Sequence, residues 1–117
     1  MVKVMLLLPR RPGMSHDEFR RHWHERHRPL LARLPGLRRL VLNDIVPGVD
    51  GTQPDCDGIG EDWFEGPAAM QAAFASPEGQ AVAADAAAYL DLTRLQLLGV
   101  AEEEVPLPVA GQARTVR

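Results

Sequence analysis

Two kinds of side chain in this sequence can move protons near neutral pH: the imidazole of His27, and the carboxylates of Asp62, Asp44 and Glu61. Phe19, Trp23, His27, Leu30, Leu31 and Leu34 recur every three or four residues. A helix therefore turns His27 toward its buried side. There the imidazole can act as general acid or base, or can be a core histidine held by a carboxylate or a backbone carbonyl. In the stretch Gly58 to Glu65, read as a strand, Gly60, Asp62 and Phe64 share one face while Ile59, Glu61 and Trp63 share the other. One face meets the helices and the other meets whatever covers the far side of the sheet, where a cavity can lie, so each apolar environment receives one carboxylate. An unpaired charge is costly in either place. One arrangement pairs Glu61 with His27 on the helix side and turns Asp62 into the cavity; the reversed register exchanges the two. Leu40, Leu42 and Asp44 share a face of the preceding strand. If that face is the cavity, Asp44 and Asp62 form a pair whose pKa values are driven apart, giving one acid and one base. The alternative is that both lie at a wet edge.

Other reactive residues lead to weaker expectations. His22 and His24 point to opposite sides of a helix, and His24-Glu25-Arg26-His27 lacks the four-residue spacing of a helical zinc motif. No metal is expected, and His22 and His24 read as surface residues. Cys56 lies between Asp55 and Asp57, whose charges oppose thiolate formation. Trp23 and Trp63 are core aromatics first. A ring facing the cavity, Trp63 or Phe64 beside Leu40 and Leu42, would hold an apolar substrate. No phosphate-binding loop, nucleotide fingerprint or haem motif is present, so no cofactor is expected.

The elements that must position these residues follow from punctuation and period. Val2 to Leu8 is an apolar strand stopped by Pro9 and Pro12-Gly13. Ser15 and Glu18 form a capping box at the head of the first helix, and Pro29 predicts a kink near His27 and Arg28. Leu37 to Val46 is a second strand and Pro47 to Asp57 a long loop. After the third strand, Pro67 and Pro77 each open a helix, the second running to about Tyr89. Thr93 to Val105 is a last strand, and residues 106–117 form a tail outside the domain of residues 1–105. The order β-α-β-β-α-β, its second helix split in two, is a ferredoxin-like α+β fold with a four-stranded antiparallel sheet. The first and last strands are apolar nearly throughout rather than alternating, so the second sheet face needs cover, most simply from another copy of the chain.

At 117 residues, 45% hydrophobic and 25% charged, the chain fits one globular domain. A net charge of −3 opposes a dedicated nucleic-acid role, although nine arginines crowd the first third. The single cysteine excludes an intrachain disulfide and suits the cytoplasm. The opening apolar run is too short for a membrane span and lacks the pattern of a signal peptide.

The run from Pro12 to Trp23 (PGMSHDEFRRHW), followed by His27, Pro29 and Leu30, resembles the signature of the EthD family. Leu34 to Arg39, Asp57-Gly58-Ile59 with Glu61, Trp63 and Phe64, and Ala75 to Gly79 add matches in the same order. The resemblance implies a dimeric α/β barrel, two sheets packed face to face around a cavity, and relatives that include cofactor-free enzymes acting on aromatic and polyketide intermediates. The chain departs from the family pattern at Asp62, where Leu is usual, at Leu40, where Tyr is frequent, and at Asp44, near a position often taken by His.

Two classes of function follow. The first is a cofactor-independent acid-base enzyme of cyclase, dehydratase or isomerase type, working on a small aromatic or polyketide-like molecule in an intersubunit or sheet-helix cavity. Asp62 and His27 would carry its chemistry, with Asp44 and Glu61 in support. A cofactor-free monooxygenase is a variant. The second is a binding or accessory protein, with the arginine-rich segment Arg20 to Arg28 as its partner surface.

Overall fold

The computed structural model describes residues 1–46, 48 and 54–109. β1 (Val2–Leu8) leads to α1 (His16–His22), which runs through a π turn (Trp23–His27) into α2 (Arg28–Leu31). β2 (Leu37–Asp44) and β3 (Gly58–Phe64) follow, then α3 (Pro67–Ala75), α4 (Pro77–Ala86) and β4 (Gln96–Val100). The sheet order is β2-β3-β1-β4, antiparallel throughout, which is the ferredoxin-like arrangement. Most of the expected loop between β2 and β3 lies outside the described residues, as does the tail beyond residue 109.

Local chemistry explains the boundaries. The capping box is complete: Glu18 N–H donates to Ser15 Oγ at 3.1 Å, and Ser15 N–H donates to Glu18 Oε1 at 3.2 Å. The kink expected from Pro29 takes the form of the π turn, in which Arg28 N–H reaches back five residues to Trp23 O. Pro29 then sits in the first turn of α2, where a missing N–H costs nothing. β4 is shorter than the sequence suggested. Asp91 Oδ1 accepts from both the backbone N–H and the hydroxyl of Thr93, at 3.1 and 2.6 Å, and this turn delays the strand. β4 ends at Val100 because it pairs only with β1, whose own start lies opposite: Val100 faces Lys3. β2 stops at Asp44 and carries a bulge at Arg38, so Leu37 and Leu40 reach the same face although three residues apart.

That face packs on the helices. Leu8, Phe19, Trp23, Tyr89 and Leu90 form the central core cluster, with Phe19, Trp23 and Tyr89 at most 1% exposed. Each such aromatic contributes about 2–3 kcal/mol by burial. The opposite sheet face carries Met5, Leu7, Val41, Ile59 and Leu98. There the Trp63 ring lies between the Lys3 ammonium, 4.8 Å from its centroid, and the Arg39 guanidinium at 4.5 Å. Among the described residues no helix is long and apolar enough to cross a membrane.

Candidate functional site

Between the helices and the inner sheet face lies a cavity of about 320 Å³, open at one side. Leu6 and Leu8 of β1, Leu40 and Leu42 of β2, and Gly60 of β3 form its floor. Trp23, Leu31, Val82, Ala86 and Tyr89 form much of its roof, and the exposed Leu92 and Leu97 stand at its edge. The volume arises from small residues opposite large ones. A Cβ on Gly58 would lie 2.5 Å from the Trp23 ring, so only glycine admits the indole there. Ala83 and Ala86 keep α4 thin above the cavity.

The ionisable groups lining this apolar space are His27, Asp62 and Tyr89. Asp62 is 2% exposed, and its Oδ2 has no hydrogen-bond partner among the described residues. Burial pushes its carboxyl from 3.8 up to about 6. His27 is 5% exposed and hydrogen-bonds through Nδ1 to Asp85 Oδ2 at 2.8 Å. Burial holds its pKa below 6.5 despite the upward pull of the Asp85 carboxylate. Burial alone would raise Asp85, but hydrogen bonds from His27 and His22 lower it on balance. Asp85 is therefore ionised and accepts a hydrogen bond from Nδ1–H, leaving His27 Nε2 as the acceptor nitrogen. Burial also raises the Tyr89 hydroxyl, with further contributions from Asp85 and Asp62, so Tyr89 is a neutral phenol.

These positions correct several expectations. His27 pairs with Asp85, not Glu61. Glu61 lies on the opposite sheet face, bound to Lys3 at 2.6 Å and accepting from Asn43 Nδ2 at 2.9 Å. The register is the reverse of the arrangement that paired Glu61 with His27: Asp62, not Glu61, is on the helix side, where it lines the sheet-helix cavity rather than one between subunits. Asp44 shares the face of Asp62 yet forms no pair with it: Asp44 sits opposite Gly58, at the strand end, while Asp62 sits opposite Leu40. His24 Nε2 holds Asp44 at 2.8 Å and Arg20 Nε approaches it at 3.5 Å. Leu40 and Leu42 line the sheet-helix cavity. Trp63 is on the other face, and Phe64 is fully buried against Phe74 with ring centroids 5.6 Å apart. His22 and His24 are half-buried hydrogen-bond partners of Asp85 and Asp44 rather than free surface residues. Among the described residues no group of three or more His, Cys, Asp or Glu is arranged to hold a metal ion.

Sequence reasoning missed Asp85 and Tyr89. Their signal was present: Asp85 is the one charged residue in the alanine-rich run Ala81 to Ala88, and Tyr89 stands four positions later.

Comparison with known proteins places these residues in a family context. The family model described as the EthD domain matches residues 11–93. An uncharacterized 11.0 kDa protein from the thcB-thcC intergenic region of Rhodococcus erythropolis is 35% identical over 71 residues, covering 61% of this chain and 68% of that protein. An ethyl tert-butyl ether D family protein of Bacillus halodurans aligns with a TM-score of 0.75 at 27% identity, covering 88% of this chain and 99% of that one. SnoaB of Streptomyces nogalater, a cofactor-independent oxygenase, aligns with a TM-score of 0.61 at 17% identity, covering 89% and 94%.

Proposed function

The chain belongs to the EthD family, and from that premise we propose that it is a cofactor-independent acid-base enzyme acting on a small neutral aromatic or polyketide-like molecule. The observation that carries this reading is the convergence of two dissimilar proton carriers on one apolar cavity: the Asp85-held imidazole of His27 and the buried carboxyl of Asp62, whose Oδ2 has no partner among the described residues. In a buried space such groups are costly to maintain and useful mainly for moving protons.

In this mechanism His27 Nε2 removes a proton next to a substrate carbonyl, and Asp85 stabilises the imidazolium that forms. Asp62, when protonated, donates to the oxygen on which negative charge develops. Together these steps enolise the substrate, the shared opening of cyclisation, dehydration and isomerisation. Water is kept from the reacting atoms by the leucine floor and the Trp23 and Tyr89 rings. Proton transfer of this kind is worth roughly a hundredfold to ten-thousandfold in rate.

The lining also selects the ligand. Among the described residues no Lys or Arg faces the cavity, so a carboxylate or phosphate would sit beside Asp62 without a counter-charge. The volume suits a compact ligand of one or two rings, near the lower end of small-molecule sites. A second copy of the chain covers the apolar outer sheet face in this reading, closing the barrel around Trp63 and leaving the sheet-helix cavity within each protomer.

The test is a melting-temperature screen of neutral phenols, quinones and lactones against the parent and Asp62→Asn. A compound that shifts the melt of both and is chemically changed only by the parent supports the mechanism. Binding by both with the compound returned unchanged would replace it with a carrier role. For a converted substrate, kcat/KM should be bell-shaped in pH, with its alkaline fall near pH 6. It should rise as His27 loses its proton and fall as Asp62 loses its own; Asp62→Asn removes the alkaline fall.

A further inference from the structure

Asp85 serves two imidazoles. Its Oδ2 lies 2.8 Å from His27 Nδ1 and 3.0 Å from His22 Nε2, and its Oδ1 is 3.1 Å from the same His22 nitrogen. His22 stacks on Tyr89, with centroids 4.8 Å apart and planes at 19°; His27 meets the same ring at 4.9 Å. Five positions separate the two histidines, and on a regular α-helix such residues diverge by more than a quarter turn. The π turn removes that divergence, because its hydrogen bonds link residues five apart. The backbone irregularity thus places both rings over one carboxylate and one phenol.

We propose that His22 is a positioning residue for His27: by donating to both oxygens of Asp85, it keeps the carboxylate aimed at Nδ1 and so keeps Nε2 bare toward the cavity. This rests on the reading of His27 as the base. The reasoning is geometric. Asp85 lies on α4 with 21% of its side chain exposed, and it is free to rotate toward water unless a second donor holds it. His22 supplies that donor; its own side chain is 17% exposed and is fixed in plane by the stack on Tyr89. The titratable groups that face this pair are Asp85 from α4, Tyr89 from the segment after it, and Asp62 across the cavity, whose charge acts on Tyr89. Without His22, Asp85 swings outward and the His27 proton distributes between its two nitrogens, so part of the population offers the substrate a donor where a base is needed. A carboxylate bonded to one ring nitrogen commonly fixes a histidine tautomer in this way.

The experiment is nitrogen-15 NMR of histidine-labelled protein, which reads the tautomer of each ring directly and needs no substrate. In the parent, neutral His27 is expected almost wholly as the Nδ1–H form and neutral His22 as the Nε2–H form. His22→Phe keeps an aromatic ring for Tyr89 but removes the donor; His27 should then become a mixture of tautomers. His22→Gln retains an N–H for Asp85 and should restore the parent pattern. The proposal is overturned if His27 remains wholly Nδ1–H in His22→Phe, or if His22 in the parent carries its proton on Nδ1. The second outcome is read on the parent alone and does not depend on the variant folding. Tautomers as expected in a protein that moves no proton on any bound carbonyl compound would sink base catalysis by His27 and leave the positioning assignment standing.

Discussion

Replacing Asp62 by Leu should stabilise this protein, and increasingly so as the pH rises. The native carboxyl has a pKa of about 6 against 3.8 in an open chain, so the folded state holds its proton longer than the unfolded state does. Stability must therefore fall as pH climbs from 3.8 through 6, and the full deficit is present above that range. At 1.36 kcal/mol per pKa unit the deficit is about 3 kcal/mol, of which about 2 kcal/mol develops between pH 4 and pH 8. With Asp62 only 2% exposed, solvent does little to screen this cost. Leu also fits the space, because the side chain borders the cavity rather than a filled core. The assay is urea denaturation of parent and Asp62→Leu at a series of pH values. Packing differences shift the two curves by a constant, and every other titrating group cancels in their difference. The gap should widen by about 2 kcal/mol from pH 4 to pH 8, in favour of the variant. Parallel curves would refute the reasoning, since they would mean that the native carboxylate is solvated or paired.

Gly58→Ala would drive a methyl group into the Trp23 ring and should lower stability by about 1–3 kcal/mol in urea titrations. Asp57 accepts from the Arg10 backbone at 3.0 Å and side chain at 2.8 Å, and lies 2.9 Å from His16 Nδ1. Asp57→Ala should therefore cost about 1–3 kcal/mol at neutral pH. Burial works against these bonds but they win, holding the carboxyl below 3.8, so this loss should shrink as pH falls below that value. Leu98→Glu places a charge on the exposed outer sheet face and should convert a dimer to monomer in light scattering, with the secondary structure by circular dichroism unchanged.

The fold was legible because the strong signals were local. Ser15 and Glu18 mark a helix start whatever surrounds them, and Pro67 and Pro77 do the same for α3 and α4. The end of β4 was not legible, since it depends on where its partner β1 begins and on a turn made by Asp91. The site was half legible. The alternation in β3 correctly separated Asp62 from Glu61, but each face carries one acid and one aromatic ring, so alternation alone could not say which face meets the helices. The two glycines beside Asp62 held the answer: Gly58 and Gly60 leave room for the Trp23 indole, and a face stripped of side chains marks the side on which a large residue must lie. Pairing His27 with Glu61 failed because it looked only to the sheet. The real partner stands on α4, a helix whose alanines gave the sequence little reason to single out Asp85.

The central claim is that His27 is a base able to deprotonate a carbon next to a carbonyl inside the cavity. β-Tetralone is a neutral bicyclic ketone of suitable size with acidic hydrogens beside its carbonyl. Its deuterium uptake in heavy water, followed by proton NMR, measures that step without knowledge of the natural substrate. The parent protein should accelerate uptake over buffer, and His27→Gln should lower the protein-dependent rate by roughly a hundredfold or more while still binding the ketone. Binding to both proteins with uptake no faster than in buffer would contradict the account and identify the cavity as a carrier site.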